Sequence, residues 1–351
     1  MKMQLFETAF GAKPSRVTLT PGRVNLLGEW VDFSGGLVLP MALPLKVKVA
    51  ASPNFTNEDV IVSEGFDGEA RYHLDAPADK HWADYVRGAL QLARKHGWAS
   101  GGYNVALSSD VPHGSGLSTS AAVSVGTLRA VRNGSAAAPD TTEIALMAKQ
   151  VENEFIGVPC GIMDQMAVAH ADRGQVLMLE TENLYFRVMD LPYDWHISVI
   201  HSGVSRKLAD GRYAERREEC LAAAKAMGIE MLCHGDLIAA RDLPVPLNAR
   251  AKHVISEDIR TRAAQDALEA GDRNLFGELM IKGHASIRDD FDIVPDEVDA
   301  IVSDAVRLGA DGARQTGGGF GGCIVALMED GTQDEWWEKL SAKHPAITRV
   351  V

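Results

Sequence analysis

A glycine-rich run, VPHGSGLSTSAAVSVG, carries the residue types of an anion-binding loop. Gly114 and Gly116 allow a tight loop, and the small residues that follow favour a helix. A loop that leads into a helix presents unpaired backbone N–H groups at the positive end of the helix dipole, where phosphate binds. The hydroxyls of Ser118, Thr119 and Ser120 are able to cap this helix or to ligate magnesium. The run therefore predicts a phosphate site, and the alternative is that Ser118 is only an N-cap.

Two acids stand where a carboxylate needs a partner. Glu152 falls late in a predicted helix, and Asp164 follows PCGI, among apolar residues that include Met163 and Met166. A lone acid in such surroundings is not buried without a partner. Asp164 is therefore either a helix cap or a catalytic carboxylate.

The run GEWVDFSGG places Glu29 and Asp32 on either side of Trp30, next to glycines that are expected to form turns. The two acids suit turn and cap chemistry, or they accept hydrogen bonds from a polar ligand. No helix or strand periodicity requires a bulky aromatic at this position. The tryptophan therefore needs an explanation of its own.

The run RQTGGGFGGCIVAL matches the pattern G-x-G-x-x-G at Gly317, Gly319 and Gly322. The match does not indicate a dinucleotide-binding fold, because that fingerprint follows a strand and opens a helix, whereas this run leads into a strand. Its glycines predict either a tight hairpin turn or a close approach of the backbone to another segment or a ligand.

Composition limits the classes of function. The chain has 351 residues, enough for two domains, and a formal charge of −13, which argues against a nucleic-acid-binding surface. No apolar run reaches the roughly 18 residues of a membrane helix, and the N-terminus has no signal-peptide pattern. Four cysteines without a CxxC pair indicate reduced thiols and not a zinc site. We therefore expect a cytoplasmic protein that acts on small molecules, without a nucleic-acid or membrane partner.

Strand and helix patterns alternate along the chain, which predicts an α/β fold. Short β-branched runs bounded by turn residues predict strands at 45–50, 60–63, 103–107, 176–179, 196–201 and 323–328. Amphipathic or capped runs predict helices at 82–97, 140–155 and 211–228. In the second of these, Asp140 and Glu143 have the spacing of a capping box. A change from glycine-rich to helical sequence places one domain boundary near residue 190, which gives domains 1–190 and 191–351.

Five segments carry a resemblance to a known family. In chain order they are GRVNLLGEWVDFSGG, GLSTSAA, CGIMDQ, RKLADGRYAERREEC and GGGFGGC. The first, second and fifth resemble the three signature motifs of the GHMP small-molecule kinases. All five together are most similar to the galactokinase family, and the resemblance extends over essentially the whole chain.

The resemblance implies a two-domain GHMP kinase fold. The N-terminal domain would be like ribosomal protein S5 domain 2, the C-terminal domain would be ferredoxin-like, and the site would lie between them. The implied reaction is the ATP- and Mg²⁺-dependent phosphorylation of the anomeric C1 hydroxyl of galactose, giving α-galactose 1-phosphate. The expected ligands are a small-molecule sugar and ATP, and the expected state is a monomer or weak homo-oligomer. A non-catalytic sugar and ATP sensor is the alternative from another class, and the intact STSAA run disfavours it.

The same resemblance implies roles for individual residues. Asp164 matches the catalytic acid, which takes the proton of the C1 hydroxyl or acts as an orienting charge, and Arg23 matches the arginine that stabilises the phosphate and this aspartate. Ser120 and Glu152 match the magnesium ligands. The remaining matches are the ATP-binding positions Trp82, Gly114, Ser115, Gly116, Leu117, Ser118, Thr119 and Ser120, and the sugar-contacting positions Glu29, Trp30, Asp32, Gly161 and Tyr213.

The chain departs from the family in the run GEWVDFS, where galactokinases usually read Gly-Glu-His-Thr-Asp-Tyr-Asn. Trp30 replaces the histidine that faces the C6 end of galactose. In one interpretation Trp30 forms an apolar wall for a galactose-configured sugar without the C6 hydroxyl, such as D-fucose or L-arabinose; in the other, galactose binds and Glu29 alone holds O6. An apolar wall rejects an added hydroxyl by only about 10²-fold, so we expect relaxed specificity and not exclusion of galactose. Ser205 also stands where the family usually has Lys or Arg, and Arg206 is placed to take that role.

Overall fold

The computed structural model of the protein describes residues 4–112, 114–132, 140–204 and 211–351. The predictions for Ser205 and Arg206 therefore lie outside the described residues. Helices and strands alternate along the described chain, which confirms the mixed α/β fold.

The helices and strands have the following bounds. The helices are α1 (Gln4–Phe10), α2 (Asp84–Lys95), α3 (Thr119–Val131), α4 (Thr141–Gln150), α5 (Met163–His170), α6 (Arg212–Met227), α7 (Leu237–Ala240), α8 (Leu247–Ala270), α9 (Arg273–Asp289), α10 (Asp296–Arg307) and α11 (Gln333–Lys343). The strands are β1 (Arg16–Asn25), β2 (Leu37–Val38), β3 (Pro40–Pro53), β4 (Glu58–Ser63), β5 (Phe66–His73), β6 (Tyr103–Ser109), β7 (Gln175–Glu180), β8 (Phe186–Asp190), β9 (Trp195–His201), β10 (Gly312–Gln315), β11 (Cys323–Glu329) and β12 (Thr348–Arg349). A π-helical segment (Val151–Ile156) and a 3₁₀ turn (Leu232–His234) complete the regular structure of the described chain.

The chain forms two compact units that interleave along the sequence. The first unit consists of Met1–Arg23, Ala42–Pro112 and Ser118–Arg173, and the second of Val24–Met41, His113–Leu117 and Gly174–Val351. The domain boundary near residue 190, which rests on a change from glycine-rich to helical sequence, stays a prediction.

The first unit contains a mixed sheet against which helices pack. Strand β3 pairs antiparallel with β6, which runs parallel to β4, and β4 pairs antiparallel with β5; β1 also pairs with β3. Helix α3 comes close to these strands at Gly126, where a Cβ atom would lie 2.9 Å from Val49 and 3.1 Å from the Thr20 hydroxyl. The small residues predicted for this helix therefore allow it to sit directly on the strands.

The second unit contains an antiparallel sheet in the order β10, β11, β9, β12. Helices α10 and α11 contribute to its buried core, in which Ile301 and Trp336 pack with Ile200 and Ile324 of the strands. The short strand β2 pairs with β7, and β7 pairs with β8. Strands β10 and β11 form a hairpin whose connection is the glycine run, residues 317–322. The hairpin is confirmed, but its connection is longer than the tight turn that the sequence predicts.

The predicted elements agree closely with the structure. All six predicted strands lie within observed strands, and two predicted helices correspond to α2 and α6. The third, predicted as one helix at 140–155, ends at Gln150 and continues as the π-helical segment. Its N-cap at Asp140 is confirmed, although the carboxylate accepts from the Thr142 N–H at 3.3 Å and not from that of Glu143, as a capping box requires.

No helix within the described residues is both long and apolar enough to cross a lipid bilayer.

Candidate active site

In the first unit, Asp164 is held through both carboxylate oxygens. Arg23 Nε and Nη2 donate to Oδ1 at 2.7 and 2.5 Å, and the Ser118 hydroxyl donates to Oδ2 at 2.6 Å. The Arg23 side chain is 5% exposed, whereas that of Asp164, near the start of α5, is 31% exposed. The carboxylate is therefore held in one orientation by buried partners, while about a third of its side chain stays exposed to a ligand.

The glycine loop of residues 114–118 has a left-handed backbone at three positions. Gly114, Gly116 and Ser118 all have positive φ angles, of 69°, 76° and 59°, and α3 begins directly afterwards at Thr119. Left-handed residues that alternate with ordinary ones turn successive N–H groups towards one side of a loop. The Ser118 side chain makes no capping bond to α3 and binds Asp164 instead. The interpretation of Ser118 as only an N-cap is therefore wrong.

Glu152, the second residue of the π-helical segment, lies against Ser120 of α3. The Ser120 hydroxyl donates to Glu152 Oε1 at 2.9 Å, while Gln165 Nε2 donates to Oε2 and the Cys160 thiol lies 3.6 Å from it. Burial raises the pKa of Glu152, and the negative charge of Asp164 adds to this effect. The Glu152 carboxylate is thus placed where a positive ion would stabilise its charged form.

In the second unit, Glu29 is buried and its carboxylate contacts the glycine run. Its Oε1 accepts from Gly317 N at 2.9 Å and from the Thr316 hydroxyl at 3.0 Å. Thr316 also accepts from Asn25 N at 3.1 Å. The glycine run also approaches another segment closely, which was the alternative to a hairpin turn in the sequence analysis. A Cβ at Gly319 would lie 2.7 Å from Ile293.

Trp30 belongs to an aromatic cluster of the second unit. Its ring centroid lies 4.4 Å from that of Tyr213 and 4.9 Å from that of Phe291, and the Phe33 ring meets it edge-on at 6.1 Å. Trp30 is 4% exposed and has a φ of 66°, which is rare for a bulky residue. Its indole N–H has no hydrogen-bond partner within the described chain. The aromatic that periodicity did not require is thus part of a packed cluster.

Helix α8 holds the backbone around Glu29. Glu257 Oε1 accepts from Gly28 N at 3.1 Å and Glu29 N at 3.3 Å, and His253 Nε2 donates to the Glu29 carbonyl at 3.1 Å. Asp258 Oδ1 accepts from Leu37 N at 2.7 Å. The sequence reasoning missed these residues, and the signal that could have found them is a run of ionisable side chains, HVISEDIR, inside an otherwise helical pattern.

The other predicted site residues have these surroundings. Trp82 precedes α2 and stacks on Phe66, with centroids 4.9 Å apart and planes 3° from parallel. Gly161 is buried just before α5, and Asp32 is partly buried. Tyr213, in the first turn of α6, also approaches Gly318 of the glycine run.

Comparison with known proteins identifies the family. The model described as "Galactokinase galactose-binding signature" matches residues 4–53, and those of the GHMP kinase N-terminal and C-terminal domains match residues 84–172 and 264–346. A galactokinase from Roseiflexus sp. (strain RS-1) is 36% identical, with 98% of this chain and 92% of the relative covered. The chain belongs to the galactokinase family. This result confirms the resemblance that the five sequence segments carry.

Solved structures of a galactokinase and of a mevalonate kinase share the fold. The Lactococcus lactis galactokinase complexed with galactose superposes with a TM-score of 0.92 at 26% identity, over 99% of this chain and 96% of that protein. The Methanococcus jannaschii mevalonate kinase, at 21% identity, has a TM-score of 0.72 over 95% and 97%. The GHMP kinase fold predicted from the sequence is therefore confirmed for this member of the galactokinase family.

Proposed function

We propose that the protein is a sugar kinase that uses ATP to phosphorylate the anomeric C1 hydroxyl of galactose. The observation that carries the chemistry is the Asp164 carboxylate, which Arg23 and Ser118 fix while leaving it accessible. The choice of galactose is supported by the galactose-binding signature over residues 4–53 and by the galactokinase relative that spans the chain.

In the proposed reaction the C1 oxygen of the sugar attacks the γ-phosphorus of ATP. The new O–P bond forms as the bond between the γ-phosphorus and the β–γ bridging oxygen breaks, and ADP leaves with that electron pair. Asp164 accepts the proton of the C1 hydroxyl, or orients that hydroxyl through its charge. Arg23 places a positive charge beside the reacting carboxylate and the transferred phosphoryl group.

ATP binding is assigned to the phosphate loop, residues 114–120, and to Trp82. The left-handed backbone at Gly114, Gly116 and Ser118 and the N-terminus of α3 supply N–H donors for phosphate oxygens. The indole of Trp82, already stacked on Phe66, offers an aromatic surface for the adenine ring.

A magnesium ion fits the pair Ser120 and Glu152. Mg²⁺ is usually held by one or two carboxylates together with waters and substrate phosphates, not by a cage of protein ligands. The described residues contain no group of three or more His, Cys, Asp or Glu side chains that could hold a metal ion. The raised pKa of buried Glu152 is relieved by a cation at its Oε1, where Ser120 now donates. When bound, the ion neutralises charge on the phosphate oxygens.

Galactose recognition is assigned to Glu29, Trp30, Asp32, Gly161 and Tyr213. Carboxylates accept hydrogen bonds from sugar hydroxyls, which suits Asp32 and Glu29. Sugars that lack the C6 hydroxyl are not favoured as the main substrate, since the relatives that span the chain are galactokinases. We further assign the protein to the cytoplasm and expect a monomer or weak homo-oligomer.

An ADP-release assay over galactose, D-fucose, L-arabinose, galacturonate and glucose tests the proposal. We expect the highest kcat/KM with galactose, and Asp164→Asn should abolish turnover while sparing ATP binding. ATP binding without turnover of any aldose would contradict a kinase and favour the sensor. Activity retained in Asp164→Asn would contradict the assignment of this carboxylate.

A further inference from the structure

We propose that Glu257, together with His253, is a positioning residue for the segment GEWVDFSGG, residues 28–36, which we call the sugar-binding run. The two side chains hold this run through the backbone of Gly28 and Glu29 and so set the affinity for galactose. This inference rests on the proposed function, because it takes Glu29 and its neighbours as the residues that hold the sugar. Neither α8 residue belongs to any of the sequence motifs that indicated the site.

Glu257 lies at the centre of a closed set of contacts in the second unit. Both the Glu257 and the Arg314 side chains are fully buried, and Arg314 Nη1 donates to Glu257 Oε1 at 2.7 Å. The same oxygen accepts from the N–H groups of Gly28 and Glu29. Arg260 Nε donates to the other oxygen, Oε2, at 2.9 Å. One carboxylate thus ties α8, β10 and the sugar-binding run together.

The Glu29 side chain completes the connection. Its Oε1 accepts from Thr316 and Gly317, which lie two and three positions after Arg314 in the chain. The backbone of Glu29 is therefore anchored on Glu257 while its side chain is anchored on the glycine run. A shift of either anchor moves the carboxylate that the proposed function assigns to the sugar.

His253 holds the opposite face of the same residue. Because the Glu29 carbonyl only accepts hydrogen bonds, His253 Nε2 must carry the proton, and Nδ1 lies 2.9 Å from the Ser286 hydroxyl oxygen. The N–H and the C=O of Glu29 are thus both bound by α8, at positions four residues apart on one helix face.

The charge of Glu257 is maintained at this buried position. Burial alone would raise its pKa, but the positive charges of Arg314 and Arg260 outweigh burial and hold the pKa below its usual range. Gly28 adds a steric constraint, because its φ is 93° and a Cβ there would lie 2.5 Å from the Leu37 carbonyl oxygen. The ionised Glu257 carboxylate therefore holds the sugar-binding run at Gly28, where the backbone has little freedom to adjust.

The first test compares Glu257→Gln with Asp59→Asn in the full-length protein. Asp59 is the matched control, since it is a buried carboxylate that accepts from an arginine, Arg94, and from the Tyr103 N–H, without contact to the sugar-binding run. We expect Glu257→Gln to raise the galactose Kd by calorimetry, and the galactose KM, by about 10- to 100-fold, with the ATP KM within about twofold. Asp59→Asn should lower Tm and leave the galactose Kd unchanged. An unchanged galactose Kd in Glu257→Gln would overturn the proposal.

A second pair of variants decides the matter if Glu257→Gln does not fold. His253→Gln keeps an amide N–H at the position of Nε2, whereas His253→Leu removes the donor. We expect His253→Leu to raise the galactose Kd by about tenfold and His253→Gln to stay close to wild type. Equal Kd values for the two variants, whether raised or not, would contradict a positioning role of this hydrogen bond.

Failure of the proposed function has a separate signature. If the wild-type protein neither binds nor phosphorylates galactose, the substrate assignment is wrong before any variant is made. If the wild type binds galactose and the variants bind it equally well, only the positioning role of Glu257 and His253 is wrong.

Discussion

The Ser118 hydroxyl helps to hold the Asp164 carboxylate in place, so its removal should affect catalysis directly. It donates to Asp164 Oδ2, whereas the hydrogen bonds from Arg23 Nε and Nη2 go to Oδ1, so its removal leaves the carboxylate free to rotate about the Arg23 bonds. We expect Ser118→Ala to lower kcat by about 10- to 100-fold, because a misplaced catalytic group costs rate more than binding. Steady-state kinetics with galactose and ATP measure the effect.

Ser124 provides the matched control for this prediction. It lies in α3, the helix that begins directly after Ser118, is fully buried, and its hydroxyl has no partner within the described chain. Ser124→Ala should therefore leave kcat within about twofold, since no polar contact is lost. Equal kcat values for the two alanine variants would contradict the role given to Ser118.

Trp30 gives a residue-scale prediction about stability. Its ring packs against Tyr213 and Phe291, so histidine at this position would lose aromatic contact and bury a polar ring. We expect Trp30→His to lower the free energy of unfolding by about 2 kcal/mol, and Trp30→Phe to lower it by less, since phenylalanine keeps most ring contacts. Urea denaturation measures both. Unfolding free energies equal to wild type in Trp30→His would contradict the packing role.

The same two variants separate packing from substrate selection. If the indole also forms a wall at C6, the ratio of kcat/KM for galactose to that for D-fucose rises in Trp30→His, because imidazole is able to hydrogen-bond the C6 hydroxyl. An unchanged ratio assigns Trp30 to packing alone.

Helices and strands whose formation depends on local sequence are the elements that the sequence pattern predicts correctly. The strands at 103–107 and 323–328 were recognisable because β-branched residues bounded by turn residues favour extended backbone. The helix at 140–155 was predicted as regular because its pattern continues past Gln150, whereas the structure widens to a π-helical segment at Val151. Packing against α2 fits this change, since a Cβ at Gly88 would lie 2.7 Å from Val151. Such contacts between distant segments leave no trace in a local pattern.

The candidate site shows the same limit. Motif resemblance found Arg23, Ser118 and Asp164, and the structure brings them together. It did not find Glu257 or Arg314. Glu257 acts through a contact with Gly28, more than 200 positions away in the chain, and Arg314 through a contact with Glu257, more than 50 positions away. The positive φ of Trp30 was equally hidden, since nothing in the sequence distinguishes a left-handed tryptophan from an ordinary one.

The π-helical segment places Glu152 next to Ser120, which is the pair proposed to hold Mg²⁺. We expect Glu152→Gln to raise the Mg²⁺ concentration for half-maximal activity by about tenfold or more, since an amide is a weaker ligand for a hard cation. Glu154→Gln is the control: it removes the same charge from an exposed position in the same segment. A magnesium titration of activity that is identical for the two variants would contradict the metal role of Glu152.

At the scale of the whole molecule, two buried histidines link stability to pH. His253 is packed beside Phe291, and His284 accepts from Gln315 N through Nδ1 at 3.3 Å and contacts Asp299 through Nε2. Burial lowers the pKa of each to about 4, from an ordinary value of 6.5. Both rings are therefore neutral in the folded protein at every pH above that range, whereas the unfolded chain protonates them below about 6.5.

The two histidines make the folded protein less stable in acid. Between pH 6.5 and about 4 the unfolded state binds one more proton per histidine than the folded state, so stability falls as the pH falls. Each histidine contributes a slope of about 1.4 kcal/mol per pH unit in this window. We expect His253→Gln to reduce the slope of unfolding free energy against pH by about that amount, measured by urea denaturation between pH 7 and 5. A slope in His253→Gln equal to that of wild type would mean that His253 takes up its proton without unfolding, and that the contact with Glu29 survives in acid.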